Sequence, residues 1–250
     1  MRRIGLKLWS TNENYLSHAT RLFEDGYCDY IELYIKPASG YLDIWERIKV
    51  PFIIHAPHFG DGVNLSLPEN IEYNMHCYEL AAKYADRLDS KTIIFHPGVG
   101  GNIKETVRQL QVISDKRIVI ENKPQYGLKM ENCVGHSYEE IDYLLKNTGL
   151  RFCLDIGHAI CSANSKRVDY LEFISKMILL GPSIYHLTDG DIKSELDRHD
   201  HYGEGTYPLD DILRLMPSDC IITNEAKKDS DLTLDCFIKD VEFLRKLKSF

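Results

Sequence analysis

Short hydrophobic runs alternate with longer amphipathic stretches along the whole chain. Each short run is long enough for a buried strand and too short for a helix, whereas the longer stretches repeat apolar residues at helical spacing. The alternation occurs eight times, which predicts eight βα units and a parallel sheet, most simply a closed (β/α)8 barrel.

The predicted strands are Ile4–Leu8, Tyr30–Leu33, Phe52–Ile54, Thr92–Phe95, Ile118–Ile120, Phe152–Leu154, Ile184–Leu187 and Cys220–Thr223. The predicted helices are Tyr15–Glu24, Tyr41–Ile48, Pro68–Leu88, Ile103–Ser114, Tyr138–Lys146, Asp169–Leu180, Leu209–Leu215 and Leu232–Lys246. Asn12 or Asn14 is the expected cap of the first helix, and Pro68 suits a first helical turn. Ser137 and Glu140 have the spacing of a capping box.

Composition places the chain among ordinary globular proteins. Its 250 residues are 44% hydrophobic, which suits one barrel domain over residues 1–250. No window approaches a membrane span, and the N-terminus lacks the apolar region of a secretory signal. Seven scattered cysteines form no disulfide framework, so we expect reduced thiols and a cytoplasmic location. The net charge of −8 argues against a broad nucleic-acid-binding surface, but it does not argue against a small local patch of basic residues.

The stretch Arg151–Ala159, RFCLDIGHA, carries the first chemical signal. A buried strand ends at Asp155, Gly157 is expected to break the strand, and His158 follows. In parallel α/β proteins, active sites are built at this end of the strands. The alternative is structural: Asp155 caps the next helix and His158 is a hydrogen-bonded core residue.

The same pattern recurs at seven of the strand ends, which carry a histidine or an acidic residue. These residues are Glu32, His55 with His58, His96, Glu121, Asp155 with His158, His186 with Asp189 and Asp191 beyond it, and Glu225. If the barrel closes, these side chains point into one bowl at its C-terminal face. We therefore predict one shared site.

Carboxylates crowded into a bowl repel one another unless cations neutralise them, and admixed imidazoles favour zinc, manganese or iron over calcium. Two or more adjacent metals suit phosphoester displacement, whereas a single metal flanked by two carboxylates suits proton shuttling on a sugar. In the loop Leu196–Gly205, Asp197 and His199 alternate, so an extended segment would turn both to one side. A solvated polar loop is the alternative for this segment.

The ordered set HAPH, FHPG, IEN, LDIGHA, HLTD, DRHDHYGEG and NEA, spread from Ile31 to Glu225, resembles the endonuclease IV family, the family 2 AP endonucleases. That family belongs to the xylose isomerase-like TIM barrel superfamily. It binds three zinc ions and cleaves DNA on the 5′ side of abasic sites, so the resemblance implies a DNA-repair hydrolase. In that family the metals activate the attacking water and stabilise the leaving 3′ oxygen.

The resemblance also implies the ligands and the catalytic residues. One ion would be held by His55 and His96, with Glu121 bridging to a second ion; the second would add Asp155, His186 and Glu225; the third would take His158, Asp197 and His199. Glu121, Glu225 and Asp155 would then be the catalytic residues.

Three departures from the family pattern concern the substrate. Lys123 follows IEN where the family has small residues, so it is a candidate to contact phosphate or a sugar oxygen, or to pair with a carboxylate. The loop after His55 is longer than usual, and His58 and Phe59 are its candidates for insertion into DNA. The chain is also somewhat short for the family. Abasic or damaged DNA is the expected partner.

The second interpretation is a sugar or sugar phosphate isomerase or epimerase of the same superfamily. Glu121, Asp155, His186 and Glu225 would hold one Mn²⁺ or Mg²⁺, and the two glutamates would move protons on either face of the sugar. His158 and Arg198 would orient the sugar oxygens. This interpretation leaves idle His55, His96, Asp197 and His199. A non-catalytic metal-binding barrel is the third possibility, and the full ligand set argues against it.

Overall fold

Eight parallel strands pair in the order of the sequence and close between β8 and β1. The computed structural model describes residues 2–37 and 40–250. Its strands are β1 (Arg3–Trp9), β2 (Tyr30–Tyr34), β3 (Phe52–His55), β4 (Ile93–Phe95), β5 (Ile118–Glu121), β6 (Arg151–Asp155), β7 (Ile184–Leu187) and β8 (Ile221–Asn224). The predicted (β/α)8 barrel is confirmed.

Helices connect the strands and pack around the barrel. They are α1 (Leu16–Glu24), α2 (Leu42–Trp45), α3 (Ile71–Arg87), α4 (Ile103–Ile113), α5 (Tyr138–Thr148), α6 (Ile156–Lys166), α7 (Tyr170–Ile178), α8 (Leu209–Leu215) and α9 (Asp235–Leu244). Over the described ranges, none of these helices is both long and apolar enough to cross a membrane.

The interior of the barrel has an apolar floor. Its side chains form a small cluster separate from the main core: Tyr30, Ile53, Ile94, Val119, Cys153 and Ile184, with Ile221 packed against them. Because strand side chains alternate in direction, the residue two positions later on each strand faces the same interior, one layer higher. That layer is where the polar strand-end residues lie, so the pleat itself directs them into the bowl.

Gly5 makes room for the Tyr30 side chain in the apolar floor. A Cβ atom at this position would lie 2.2 Å from the Tyr30 ring, so only glycine accommodates that ring inside the barrel. The Tyr30 hydroxyl lies 2.8 Å from Thr223 Oγ1, which satisfies the phenol within the interior. The outer faces of the strands, such as Leu6, Ile54 and Leu154, pack with the helices in the main core.

The helix starts follow the sequence signals only in part. Pro68 leads the 3-10 turn Pro68–Asn70 that runs into α3, as predicted. Ser137 caps α5 by accepting a hydrogen bond from the Glu140 amide, but the Glu140 carboxylate accepts from the amides of Gly135 and His136, so the reciprocal bond of a capping box is replaced.

The predicted asparagine cap of α1 is wrong. Asn12 turns back and accepts a hydrogen bond from the Trp9 amide, while the Asn14 side chain donates to the Asp231 carbonyl. Both asparagines therefore tie loops together instead of capping the helix.

Candidate metal centre

The closed barrel brings most of the strand-end residues into one bowl. Asp189 and Asp191 were expected there but lie outside it, because their carboxylates accept hydrogen bonds from backbone amides of the loop after β7. Glu121 lies at the centre of the bowl, with four histidine side chains around its carboxylate. The imidazole nitrogens nearest to it are His96 Nε2 at 3.0 Å, His158 Nδ1 at 3.2 Å, His186 Nδ1 at 3.2 Å and His55 Nε2 at 3.3 Å. All five residues were predicted for the site, and they come from five different elements.

A second group of side chains lies on the β7 and β8 side of Glu121. His186 Nδ1 is 2.9 Å from Glu225 Oε1 and 4.0 Å from Asp155 Oδ2. The other ring nitrogen, Nε2, lies 2.9 Å from Glu32 Oε2. Lys7 reaches this group from β1 and contacts both Glu32, at 2.7 Å, and Glu225.

The loop after β7 brings a third group over the bowl. Asp197 Oδ2 is 2.7 Å from His199 Nε2 and 3.5 Å from His158 Nε2. The predicted alternation of Asp197 and His199 toward one side agrees with this geometry. His199 has a φ of 53°, so a left-handed residue turns the chain at this point.

The segment after β6 differs from the prediction. Gly157 does not break the strand, because β6 ends at Asp155 and α6 begins at Ile156. Asp155 Oδ1 accepts a hydrogen bond from the His158 amide at 2.7 Å, so Asp155 caps a helix that we did not predict and still faces the bowl. A Cβ atom at Gly157 would lie 2.9 Å from Asp197 Oδ1, so the glycine makes room for that carboxylate.

Most of the imidazoles are oriented by a hydrogen bond from the ring nitrogen that points away from the expected ion. One ring nitrogen of each lies near a backbone carbonyl or a buried carboxylate: His55 Nδ1 by the Ala56 carbonyl at 2.8 Å, His158 Nδ1 by the Asn122 carbonyl at 2.8 Å, His199 Nδ1 by the Glu225 carbonyl at 3.2 Å, and His186 Nε2 by Glu32. Metal-binding histidines commonly have this arrangement, because it leaves the opposite nitrogen unprotonated and aimed at the ion.

Two buried nitrogens indicate that these residues fit metal ions. His96 Nε2 and His186 Nδ1 make no hydrogen bond of acceptable geometry within the described part of the chain, although carboxylate oxygens lie 3.0 Å and 2.9 Å away. Ligands held at about 2.0–2.1 Å around a tetrahedral zinc ion are about 3.3 Å apart. The distances from Glu121 to His55, His96 and His186 therefore fit ligands that share an ion.

Burial and neighbouring charges shift the pKa values of several bowl residues. Burial raises the pKa of Asp155, and Asp197 and Glu121 add to this effect, to about 6. Burial alone would lower the pKa of His158, but Asp155 and Asp197 raise it to about 10. Asp197 likewise overcomes burial and raises the pKa of His199 to about 9. Protons thus occupy imidazole positions that a cation would take.

The predicted substrate residues lie around the mouth of the bowl, in two neighbouring cavities of about 330 and 300 Å3. Lys123 and His58 line both cavities, and Phe59 lines the first and is 43% exposed. His58 stacks parallel to His96, with 5.1 Å between ring centroids. Arg198 instead turns to Asp200 at 2.9 Å, with its side chain 53% exposed.

Three residues at the site had no role in the sequence prediction. Lys7 lies two positions after Gly5 on the inward face of β1. Because side chains alternate along a strand, the sequence could have predicted that Lys7 points into the barrel. Tyr34 accepts a hydrogen bond from the His58 amide at 3.0 Å and donates to Asp61, so it holds the loop after β3. Asn122 joins β5 to β6 through hydrogen bonds with the Asp155 backbone.

Comparison with known proteins agrees with this architecture. The profile of the xylose isomerase-like TIM barrel family matches residues 29–247. An uncharacterized protein of Methanocaldococcus jannaschii is 26% identical over 228 residues, which cover 82% of this chain and 72% of that protein. The probable endonuclease 4 of Thermoplasma volcanium is 25% identical over 169 residues, which cover 61% of this chain and 58% of that protein.

Among solved structures, a D-tagatose 3-epimerase-like protein superposes with a TM-score of 0.76 at 19% identity, covering 98% of this chain and 96% of the other. At this identity the likeness concerns the fold. The similarity to endonuclease 4 confirms the resemblance inferred from the motifs.

Proposed function

Because the chain belongs to the xylose isomerase-like TIM barrel family, we propose that it is a metal-dependent phosphodiester hydrolase that cleaves DNA at abasic sites. The observation that carries this proposal is the group His158, Asp197 and His199, which lies directly against the group centred on Glu121. A site for one ion uses only His158 of this group, to orient the substrate, and leaves Asp197 and His199 without a role.

We assign three zinc ions to the bowl. The first would be bound by His55, His96 and Glu121; the second by Glu121, Asp155, His186 and Glu225; the third by His158, Asp197 and His199. Ions bound in this way lower the pKa of a water molecule and neutralise charge on a phosphoryl group. The protein contributes the spacing of the ligands and the outer hydrogen bonds that orient them.

Lys123 supports a phosphate-containing substrate. Its side chain is half-buried in the cavity wall with His96 and His158, and no carboxylate forms an ion pair with it in residues 2–37 and 40–250. An uncompensated ammonium group near a metal centre favours an anionic ligand. In this role Lys123 would bind a phosphate oxygen next to the reacting phosphodiester.

Two exposed aromatic side chains at the mouth support nucleic acid as the substrate. Trp9 is 38% exposed at the edge of the second cavity, and Phe59 lies at the edge of the first. Bases and unstacked nucleotides pack against aromatic faces of this kind. The cysteines, all unpaired and buried, support the cytoplasm as the compartment of action.

Lys7 argues against the sugar isomerase alternative. That reaction needs Glu225 as a proton carrier, and carriers work best with a pKa near the working pH. Although burial alone would raise the pKa of Glu225, His186 and the contacting Lys7 hold it well below its ordinary value. A carboxylate in this state is a weak base, which disfavours Glu225 as the proton carrier that the isomerase needs.

The test uses a labelled DNA duplex with one abasic-site analogue, incubated with the zinc-loaded protein. We expect cleavage on the 5′ side of the lesion, loss of cleavage with a chelator and recovery with added zinc. Lys123→Met should weaken binding of the duplex while the zinc content stays unchanged.

A fully zinc-loaded protein that leaves the duplex intact would refute the proposal. Interconversion of ketoses and aldoses by the same preparation, with one ion per chain, would support the isomerase instead.

A further inference from the structure

We propose a separate zinc site outside the bowl, formed by His201, Asp229 and Cys236. Their ligand atoms lie within 4.8 Å of one another, although the residues come from the loop after β7, the loop after β8 and the first turn of α9. An imidazole, a carboxylate and a thiolate together form a ligand set that favours zinc. This inference does not depend on the proposed function.

The outer contacts of His201 are those of a metal ligand. Its Nδ1 lies 2.9 Å from Asp240 Oδ2, so a proton on Nδ1 leaves Nε2 free to bind an ion. Asp240 is buried and accepts further hydrogen bonds from the Tyr202 amide at 3.1 Å and the Asn224 side chain at 2.9 Å. The orienting carboxylate is therefore itself fixed in place.

The inner face of the cluster presents the remaining ligands. His201 Nε2 points at Asp229 Oδ1, 3.1 Å away, which is the spacing of two ligands on one ion. Cys236 is a free thiol, 8% exposed. Together with Asp240, a Cys236 thiolate and the Asp229 carboxylate carry three negative charges. The nearby Lys228 ammonium offsets one of them, and a divalent ion balances the other two.

The surroundings leave a coordination position open. His201, Asp229 and Cys236 line a cavity of about 340 Å3 that also contacts Glu204 and Phe243. This space accommodates a water molecule as the fourth ligand. The site thus has the three protein ligands and the one accessible position of a tetrahedral zinc site.

The position of the cluster gives it a structural purpose. His201 lies two residues after His199, and Asp229 lies four residues after Glu225. An ion held here would fasten together the two loops that carry these bowl residues. It would also anchor both loops to the start of α9.

Cobalt substitution tests the site, because a thiolate ligand gives a sulfur-to-cobalt charge-transfer band in the near ultraviolet. We expect the cobalt-loaded protein to show this band, Cys236→Ser to abolish it, and Cys220→Ser to keep it. Cys220 is the matched control because it is also 8% exposed. Cys153→Ser checks the thiol that lies near His186 inside the barrel.

Zinc content gives an independent reading. Asp229→Ala should contain one zinc ion fewer per chain than the wild type, and the substitution is tolerable because the Asp229 side chain is 57% exposed. The site is refuted if the saturated wild type shows no band, if the band disappears with Cys153→Ser and survives Cys236→Ser, or if Asp229→Ala retains all its zinc. His201 would then be only a hydrogen-bonded bridge between two carboxylates.

Discussion

Replacing Glu32 with glutamine should weaken the second metal position without removing any ligand. Glu32 is fully buried, and its carboxylate receives hydrogen bonds from Lys7 at 2.7 Å, Thr223 at 2.6 Å and His186 Nε2 at 2.9 Å. Glutamine keeps the volume, but its NH2 group must then face at least one of these donors. If NH2 faces His186, Nε2 becomes the acceptor and the proton moves to Nδ1, the nitrogen aimed at the ion.

The size of the effect depends on which donor the glutamine NH2 group faces. Loss of an outer hydrogen-bond partner of a metal ligand typically costs about 10–100-fold in affinity. That range corresponds to about 1.4–2.7 kcal/mol, since each factor of ten is about 1.36 kcal/mol. If the His186 tautomer is kept instead, a buried donor stays unsatisfied, which lowers the stability of the fold by about 1–3 kcal/mol and leaves the zinc affinity unchanged.

The assay is zinc competition against a chromophoric chelator, together with zinc content after dialysis. Glu140→Gln is the control, because it makes the same change at a carboxylate that contacts the Gly135 and His136 amides and none of the proposed ligands. We expect weaker binding of one ion in Glu32→Gln and no change in Glu140→Gln. Unchanged affinity for every ion, together with unchanged stability of the fold in urea unfolding, would refute the assignment of His186 Nδ1 as a ligand.

Three further predictions concern the same bowl. Glu121→Gln should abolish turnover and lower the zinc content while circular dichroism shows an intact fold; near wild-type activity would contradict the bridging role. The raised pKa values of His158 and His199, about 10 and 9, mean that both are protonated at pH 7 without metal. Zinc binding to them should therefore release about two protons, and His186, whose pKa neighbouring acidic groups raise despite burial, adds to the release measured in a pH-stat. Zinc affinity should rise with pH up to about 10. The same two pKa values make the free energy of unfolding of the metal-free protein depend on pH. The stability that protonated His158 and His199 contribute is complete below about pH 6.5 and is lost as pH rises through 9 to 10. A free energy of unfolding that does not change over this range would contradict the prediction. Lys7→Met should destabilise the metal-free protein, prepared with a chelator, by about 3–5 kcal/mol in urea unfolding, because Glu32 and Glu225 lose their buried cation. The loss of stability should be smaller when zinc is bound.

The barrel was predictable from sequence because short buried strands and their polar ends follow local rules. α6 was missed for a physical reason: eight of its residues, from Ile156 to Ala163, are buried, so it shows no amphipathic pattern. Gly157, which read as a strand breaker, is instead the position where Asp197 approaches the helix.

The residues that meet in the bowl were predictable from motif order, but their partners depend on closure of the barrel. Lys7 meets Glu32 and Glu225 only because β1 pairs with both β2 and β8. Glu32 was recognised as a strand end, yet its contact with His186 links strands that are not neighbours. The turn of Arg198 toward Asp200 depends on the conformation of the whole loop.

The most direct test of the central claim is the zinc content of the Asp229→Ala protein, purified without chelator and measured by elemental analysis. This variant removes any contribution from the site around His201, so the count reports on the bowl alone. Three ions per chain are expected from the three ligand groups around Glu121. One ion per chain would contradict the trinuclear site and favour the sugar isomerase.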